Sequence, residues 1–405
     1  MSEINERIKI QDLPIFISDG NYSSKYPKNE EMVLDGIPFV RSNNIKRNII
    51  IWDDMKYISE EKHSQLLKGH LKTNDVLITV RGDVGNVAVV SNDFEDANIN
   101  AQIALLRVEN RNVLNPKYLL YSLKEPETIK KIERHQTGTA LKQLPIGELK
   151  KIDIFVQNIV IQEKIVKVLD KAQELIDKRK EQIEALDELV KSKFIEMFGA
   201  PINNPKSWDL TTMDKVIDVI GGYAFKSTDF ADDGIPVLKI GNINSGYFKP
   251  TNLMFWEKDD KLERYLIKPG DLVISLTGTV GKDDYGNVCI MGTDYDEYYL
   301  NQRNAKLEIK STESFNKYYL TYLLKVPEIK QRLTGISRGV RQANISNKDI
   351  LNLEVPNPPI ELQNKFEEFV KQIDKLKFEM EKSLKELEDN FNSLMQKAFK
   401  GELFN

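Results

Sequence analysis

One cysteine and three histidines in 405 residues leave little material for covalent or metal-based bracing. Cys289 has no second cysteine with which to form an intramolecular disulfide. His63, His70 and His135 show no i, i+4 or Cys-x-x-Cys spacing, so each reads as a surface residue and no metal site is expected. Long apolar runs are missing too: Val76 to Thr79 is typical of the longest, far below the ~20 residues that span a bilayer. The opening Met1-Ser2-Glu3-Ile4-Asn5-Glu6 has neither a basic n-region nor an apolar h-region, which implies a cytoplasmic protein without membrane contact. Nor does either sign of charge dominate, with 58 Lys+Arg against 62 Asp+Glu and a formal net charge of −4. At 30% charged and 40% hydrophobic residues, the chain is too evenly mixed for a disordered tail and can bury two or more cores.

What the chain does contain is itself, twice. Tyr118-Leu119-Leu120-Tyr121 through Pro126-Glu127 returns as Tyr319-Leu320-Thr321-Tyr322 through Pro327-Glu328, and Ile161-Gln162 returns as Leu362-Gln363, all offset by 201 positions (319 − 118, 363 − 162). Short β-branched, Gly-punctuated segments repeat around these marks, with Gly36 to Val40, Asp75 to Gly85 and Ala104 to Val108 answered by Gly234 to Leu238, Asp271 to Gly281 and Ala305 to Ile309. Their offsets are 198, 196 and 201. Between them the copies diverge, as in Lys46 to Trp52 against Asn244 to Pro250. A constant scaffold with variable loops suits a target with two separated parts, such as duplex DNA.

Each copy is followed by a charged segment with heptad spacing. Leu169, Ile176, Ile183, Leu186 and Val190 mark the first stripe, and Val370, Ile373, Met380, Leu384, Leu387, Phe391 and Leu394 the second. Two arrangements fit: amphipathic helices lying on their own domains, or a helix pair packed antiparallel about a pseudo-twofold axis, which the shared length favours. Polar members Arg179, Lys193 and Lys377 would then set register.

Intact catalytic motifs are missing. Asn357-Pro358-Pro359-Ile360 has isoleucine where a flipped adenine needs a stacking ring. Gly278-Thr279-Val280-Gly281-Lys282 lacks both the first glycine of a phosphate loop, at Leu276, and the hydroxyl residue, at Asp283. Glu308-Ile309-Lys310 and Glu328-Ile329-Lys330 match the tail of a nuclease motif, but such triplets arise by chance in so charged a chain.

Gly234 to Ile243 (Gly-Ile-Pro-Val-Leu-Lys-Ile-Gly-Asn-Ile), Pro269 to Ser275, Gly278 to Gly281, Leu300 to Arg303 and Ile345 to Ile350, with the exit Pro356, Pro358, Pro359 into a Gln-bearing helix, resemble the specificity subunit of type I restriction-modification systems. The resemblance covers essentially the whole chain, although Asn98 to Gln102 lacks the arginine of Arg303 and Phe155 to Ile161 has no proline. It implies an α+β (mixed α/β) architecture with target-recognition domains at 1–155 and 201–355 and coiled-coil helices at 156–200 and 356–405. It also implies a non-catalytic reader of a bipartite double-stranded DNA site, assembled with two methyltransferase and two motor/nuclease subunits. S-adenosylmethionine, ATP and Mg2+ would belong to those partners, with no cofactor on this chain, and the partners would supply the phosphate-binding charge that a net −4 lacks.

DNA-binding candidates are donors near glycine-flanked loops, which would read bases, with Lys46 and Arg47 as a local basic cluster. In the first copy these are Tyr22, Ser23, Lys25, Arg41, Asn43, Lys46, Arg47, Arg81, Thr139, Lys142 and Gln143. In the second they are Tyr223, Lys226, Lys239, Asn242, Thr277, Lys282, Arg338, Arg341 and Gln342. Gly82, Gly85, Gly278 and Gly281 read as turn formers. The alternative from another class is a coiled-coil scaffold whose two domains bind proteins.

Overall fold

The computed structural model describes residues 5–22, 25–139, 141–243, 246–335 and 342–404, with Gln342 described by its backbone alone. The chain divides into two compact units, Met1–Lys180 with Lys382–Asn405, and Glu181–Glu381. Helix and sheet are mixed in both, as expected.

The duplication read from sequence is a duplication of topology. In the first unit an antiparallel sheet runs in the order Ile15–Asp19, Ile103–Val108, Val76–Thr79, Val87–Val89. In the second the order is Ile217–Gly221, Asn304–Ile309, Leu272–Ser275, Val288–Ile290. Val76–Thr79 does not alternate in polarity because both its faces are covered. Val76 and Ile78 pack with Ala104 and Leu106 against the helical side, while Leu77 packs with Leu105 and Ala88 on the other. Leu272 and Ile274 against Val273 and Cys289 repeat the division.

Helix starts in the scaffold are fixed by side chains. Asn115 caps Pro116–Lys124 and Asn316 caps Lys317–Lys325, each amide oxygen accepting two backbone N–H groups. The repeated tyrosines are buried anchors: the Tyr118 hydroxyl donates to the Phe155 carbonyl at 2.9 Å, and that of Tyr319 to Pro356 at 2.8 Å. The repeated glutamines staple the long helices to these caps. Gln162 accepts from Asn115 N–H at 2.9 Å and donates to the carbonyls of Val113 and Gln157. Gln363 accepts from Asn316 N–H at 2.8 Å and donates to Pro358.

The linking helix spans Ile159–Phe198 and the distal helix Ile360–Phe399. Both arrangements weighed from sequence hold inside each unit, because the helices pack on the domain and on one another. In the first unit Gln157, just before the linking helix, donates to the Ala398 carbonyl at 2.9 Å, while Lys180 pairs with Glu388 at 2.8 Å. In the second, Asp187 pairs with Lys377 at 2.7 Å and the Phe198 and Phe366 rings lie 5.5 Å apart. Opposed numbering in both pairs makes them antiparallel. Leu169, Ile176, Leu186, Val190, Val370 and Phe391 are buried, and Ile183, Ile373, Met380, Leu384, Leu387 and Leu394 are half-buried.

The seam departs from a strict heptad. Leu186, Val190, Phe194 and Phe198 are buried at every fourth position, as are Phe391, Met395 and Phe399. A straight helix drifts ~20° per heptad relative to a 3.5-residue repeat, and these ends pack into the cores of their own units. Lys193 pairs with Glu196 on its own helix at 2.7 Å, whereas Lys377 bridges to Asp187 on the linking helix.

Cys289 lies buried on Val288–Ile290, and burial pushes its thiol up to about 12. Alkylating reagent at about pH 8 is therefore expected to label it only after denaturation. Labelling of the native protein at the rate of a free thiol would show that this sheet opens.

Candidate nucleic-acid interface

The loops that leave the central strands gather several of the candidates. In the first unit the segment after Val76–Thr79 turns back on itself: Gly85 N–H reaches the Thr79 carbonyl at 3.0 Å, and buried Thr79 uses its hydroxyl on Asp83 O and Asn86 N. Gly82 and Gly85 have φ of 79° and 104° with open space where a Cβ would stand, so they shape the turn as expected. Gly82 N–H then bonds Lys142 O at 3.0 Å, Arg81 pairs with Gln143, and Gln143 pairs in turn with Thr137. The Arg81 guanidinium lies 4.5 Å from the centre of the Tyr22 ring, whose hydroxyl donates to Ala101 O at 2.6 Å. Stacking of this kind holds the planar fork in one orientation. Tyr22, Arg81, Lys142 and Gln143 therefore share one surface, and exposed Thr139 stands beside the Gly138 turn.

A second group in this unit sits on another loop. Ile45–Lys46 and Ile49–Ile50 form a hairpin closed by Arg47 and Asn48, both at positive φ, the geometry of a primed two-residue turn. Lys46 and Arg47 are exposed there. Asn43 and Lys25 are also exposed. Arg41 is committed elsewhere: its Nη2 donates to the Asp54 carboxylate at 2.8 Å and to the Asp54 carbonyl. These bonds, Arg41 first, hold the Asp54 carboxyl below the usual range. Reading a base with Arg41 would require displacing Asp54. Ser23 lies outside the described residues.

The second unit repeats the framework with other side chains. Thr277–Thr279 pairs with Gln342–Asn344, in the place taken by Arg81 and Gln143 in the first copy. Gly278 is required by space, since a Cβ would collide with Asp284 and Tyr285. Asp284 accepts from Thr279 N–H at 2.7 Å and its hydroxyl at 2.9 Å, which lowers the carboxyl below its ordinary value. Lys282 and Lys226 are exposed, Tyr223 is packed edge-on against Phe225, and Lys239 points its ammonium at the Phe230 ring, 5.6 Å away. Arg338 and Arg341 lie outside the described residues.

Asn242 requires a correction. It is 3% exposed; its amide donates to Lys249 O and Thr251 O, both at 2.9 Å, and accepts from Lys239 N–H. Every polar atom is used in holding the loop, and none is left for a base. Its counterpart at the strand offset of 198 is buried Asn44 (242 − 44), which bonds Asp53 O and Arg41 N–H in the same way.

Arg303 is a further candidate, not expected from sequence. Its carbonyl accepts from Leu276 N–H at 2.8 Å, as Gln102 O accepts from Val80 N–H at 2.7 Å, so the turns at 100–102 and 301–303 are equivalent. Arg303 is exposed on that turn, and among the described residues no carboxylate pairs with it. The departure of Gln102 from the arginine at this place was the available signal.

The histidines, expected as surface residues, are only partly exposed and each has a partner. All three are half-buried. His135 bonds Glu148 at 2.7 Å. His63 and His70 are neighbours, with ring centroids 4.4 Å apart, and both face Asp96. No helix among the described residues is long and apolar enough to cross a membrane.

A family model for the type I restriction modification DNA specificity domain matches residues 6–186 and again 205–389. The chain is 28% identical over 323 residues to the type I restriction enzyme MjaVIII specificity subunit of Methanocaldococcus jannaschii, covering 74% of this chain and 73% of that one. It is 21% identical to the EcoBI specificity subunit of Escherichia coli, covering 91% and 80%. Among solved structures it shares its fold with the S subunit of a type I restriction-modification system from M. genitalium, at a TM-score of 0.52 and 18% identity, covering 98% and 96%.

Proposed function

Because this chain belongs to the type I restriction-modification DNA specificity family, with a domain of that family in each half, we propose that its two units read the two halves of an interrupted double-stranded DNA site while catalysis resides in partner subunits. It is a DNA-specificity subunit and acts with DNA and other subunits. The observation that carries the finer reading is a shared loop framework whose donors differ around a retained tyrosine, Tyr22 and Tyr223: Arg81 in one unit stands where Thr277 stands in the other, and Gln102 where Arg303 stands. Identical scaffolds that present different donors fit two different DNA words better than one shared protein partner, the alternative reading. The partners would be two methyltransferase and two motor/nuclease subunits, working in the cytoplasm. S-adenosylmethionine, ATP and Mg2+ would be bound by those partners, whose basic surfaces would supplement a specificity chain of net charge −4.

The test is reconstitution. The purified chain alone is expected to bind DNA weakly and to leave it unmethylated and uncut. With methyltransferase subunits added, mapping of modified adenines should return a two-part motif. Arg81→Ala should then weaken DNA binding by about 1–3 kcal/mol and relax only the half read by the first unit. A uniform loss across sequences, with the salt slope reduced by about one, would make Arg81 a phosphate contact instead. Methylation by the chain alone would overturn the reading.

A further inference from the structure

The polar cluster at His63, His70 and Asp96 has no part in the surface just described. Its three ligand-type atoms all lie within 4.8 Å of one another. His63 Nε2 is 3.4 Å from Asp96 Oδ1, and His70 Nδ1 is 3.9 Å from the same oxygen.

What each ring does with its other nitrogen gives the cluster its meaning. His63 Nδ1 bonds the side-chain oxygen of Asn98, whose amide nitrogen is turned away toward Lys68 O at 3.4 Å. His70 Nε2 bonds the Leu66 carbonyl at 2.5 Å. Both partners are acceptors, so each ring spends its N–H on them and aims a lone pair at the Asp96 carboxylate. Two lone pairs and a carboxylate facing one another repel unless a positive charge lies among them, either the second proton of an imidazolium or a metal ion. A histidine whose outer nitrogen is held by an amide or backbone carbonyl is also the usual setting of a metal-bound imidazole.

The backbone is built to hold the set. His70 pairs with Asn98, Asp96 N–H bonds Leu71 O at 3.0 Å, and Leu71 N–H bonds Ala97 O at 2.8 Å, while His63 rides on the short helix Glu60–Gln65. At bonds of ~2.0–2.1 Å, tetrahedral neighbours sit roughly 3.3 Å apart, and the 3.4 Å separation already meets this. The exposed Asp96 side chain can rotate to close the 3.9 Å one, and the two imidazole nitrogens, within 4.8 Å of one another, would draw together as an ion binds.

The second unit supplies an independent comparison. At offsets of 196 and 201 (266 − 70, 299 − 98), the His70 and Asn98 pair corresponds to Leu266 and Tyr299, which pair across strands within an apolar cluster of Phe225, Ile235, Val237 and Leu262. The first copy has a polar constellation where the second has packed hydrocarbon.

We infer that His63, His70 and Asp96 bind one divalent transition-metal ion of borderline softness, of which Zn2+ is the type, bracing residues 60–99 of the first unit in place of an apolar cluster. Two imidazoles and a carboxylate suit such an ion better than Mg2+ or Ca2+, which prefer oxygen ligands.

The experiment uses the full chain, stripped with chelator and titrated calorimetrically with Zn2+. About one equivalent is expected to bind, and saturating Zn2+ should raise Tm by a few degrees. His70→Ala should weaken binding on the order of tenfold or more. Asp96→Asn should weaken binding in the same sense and, being exposed, should melt like the parent without metal, so loss of binding cannot be ascribed to misfolding. Absence of binding to the parent chain, or affinity unchanged in both variants, overturns the inference.

Discussion

Phe366→Ala is expected to destabilise the second unit by about 3–5 kcal/mol. The ring is fully buried, 5.4 Å from Phe194, 5.5 Å from Phe198 and 5.3 Å from Tyr322 by centroids. Those neighbours stand on the linking helix and on the helix Lys317–Lys325, and both backbones are held elsewhere, so the void cannot collapse. Urea unfolding should show a lower midpoint with little change in slope, and faster hydrogen exchange should be confined to Glu181–Glu381. Phe378→Ala on the same helix removes a ring that is 65% exposed and should change stability by no more than about 0.5 kcal/mol. Equal effects from the two substitutions would mean that the distal helix is not part of this core.

A matched pair of heptad insertions is expected to change the spacing of the DNA site without changing its words. Both long helices pass from one unit to the other, after Lys180 and after Glu381. Seven residues added at both points lengthen each helix by about 10 Å while keeping the packed faces nearly in phase. If the helices space the reading surfaces, the gap between half-sites should grow by about three base pairs at ~3.4 Å each. Mapping methylated adenines with the reconstituted complex would measure it. Adding the heptad to one helix alone leaves seven residues without partners and should instead lower stability. An unchanged gap in the doubly extended protein would assign the spacing to the partner subunits.

The scaffold was readable because its anchors are chemically demanding. A tyrosine hydroxyl that must reach one carbonyl, and a glutamine that must satisfy both a cap and a preceding turn, are hard to replace, so Tyr118 and Tyr319, and Gln162 and Gln363, survive in both copies. The reading surface was less accessible, since donors useful to DNA are also useful to loops. Asn43 and Asn242 are the same side-chain type, yet Asn43 is exposed and Asn242 is locked inside its own loop. The pairing of Arg41 with Asp54 is not legible in sequence, because no local pattern joins residues thirteen apart. The meeting of His63, His70 and Asp96 is equally hidden from local spacing, since the histidines are seven apart and Asp96 arrives by strand pairing.

The first unit borrows its last piece from the end of the chain. Phe391, Met395, Ala398 and Phe399 belong to its core, and the Phe399 ring lies 5.2 Å from Tyr118. Roughly 200 residues (382 − 180) separate the two stretches that build it. At ~5–20 residues per second, a ribosome needs about 10–40 s to make that interval, during which residues 1–180 must wait with an apolar face uncovered. Release of a prematurely terminated chain would leave that face permanently bare and open to proteolysis. The second unit, drawn from one uninterrupted stretch, can close before synthesis ends, so the half made first is the half completed last.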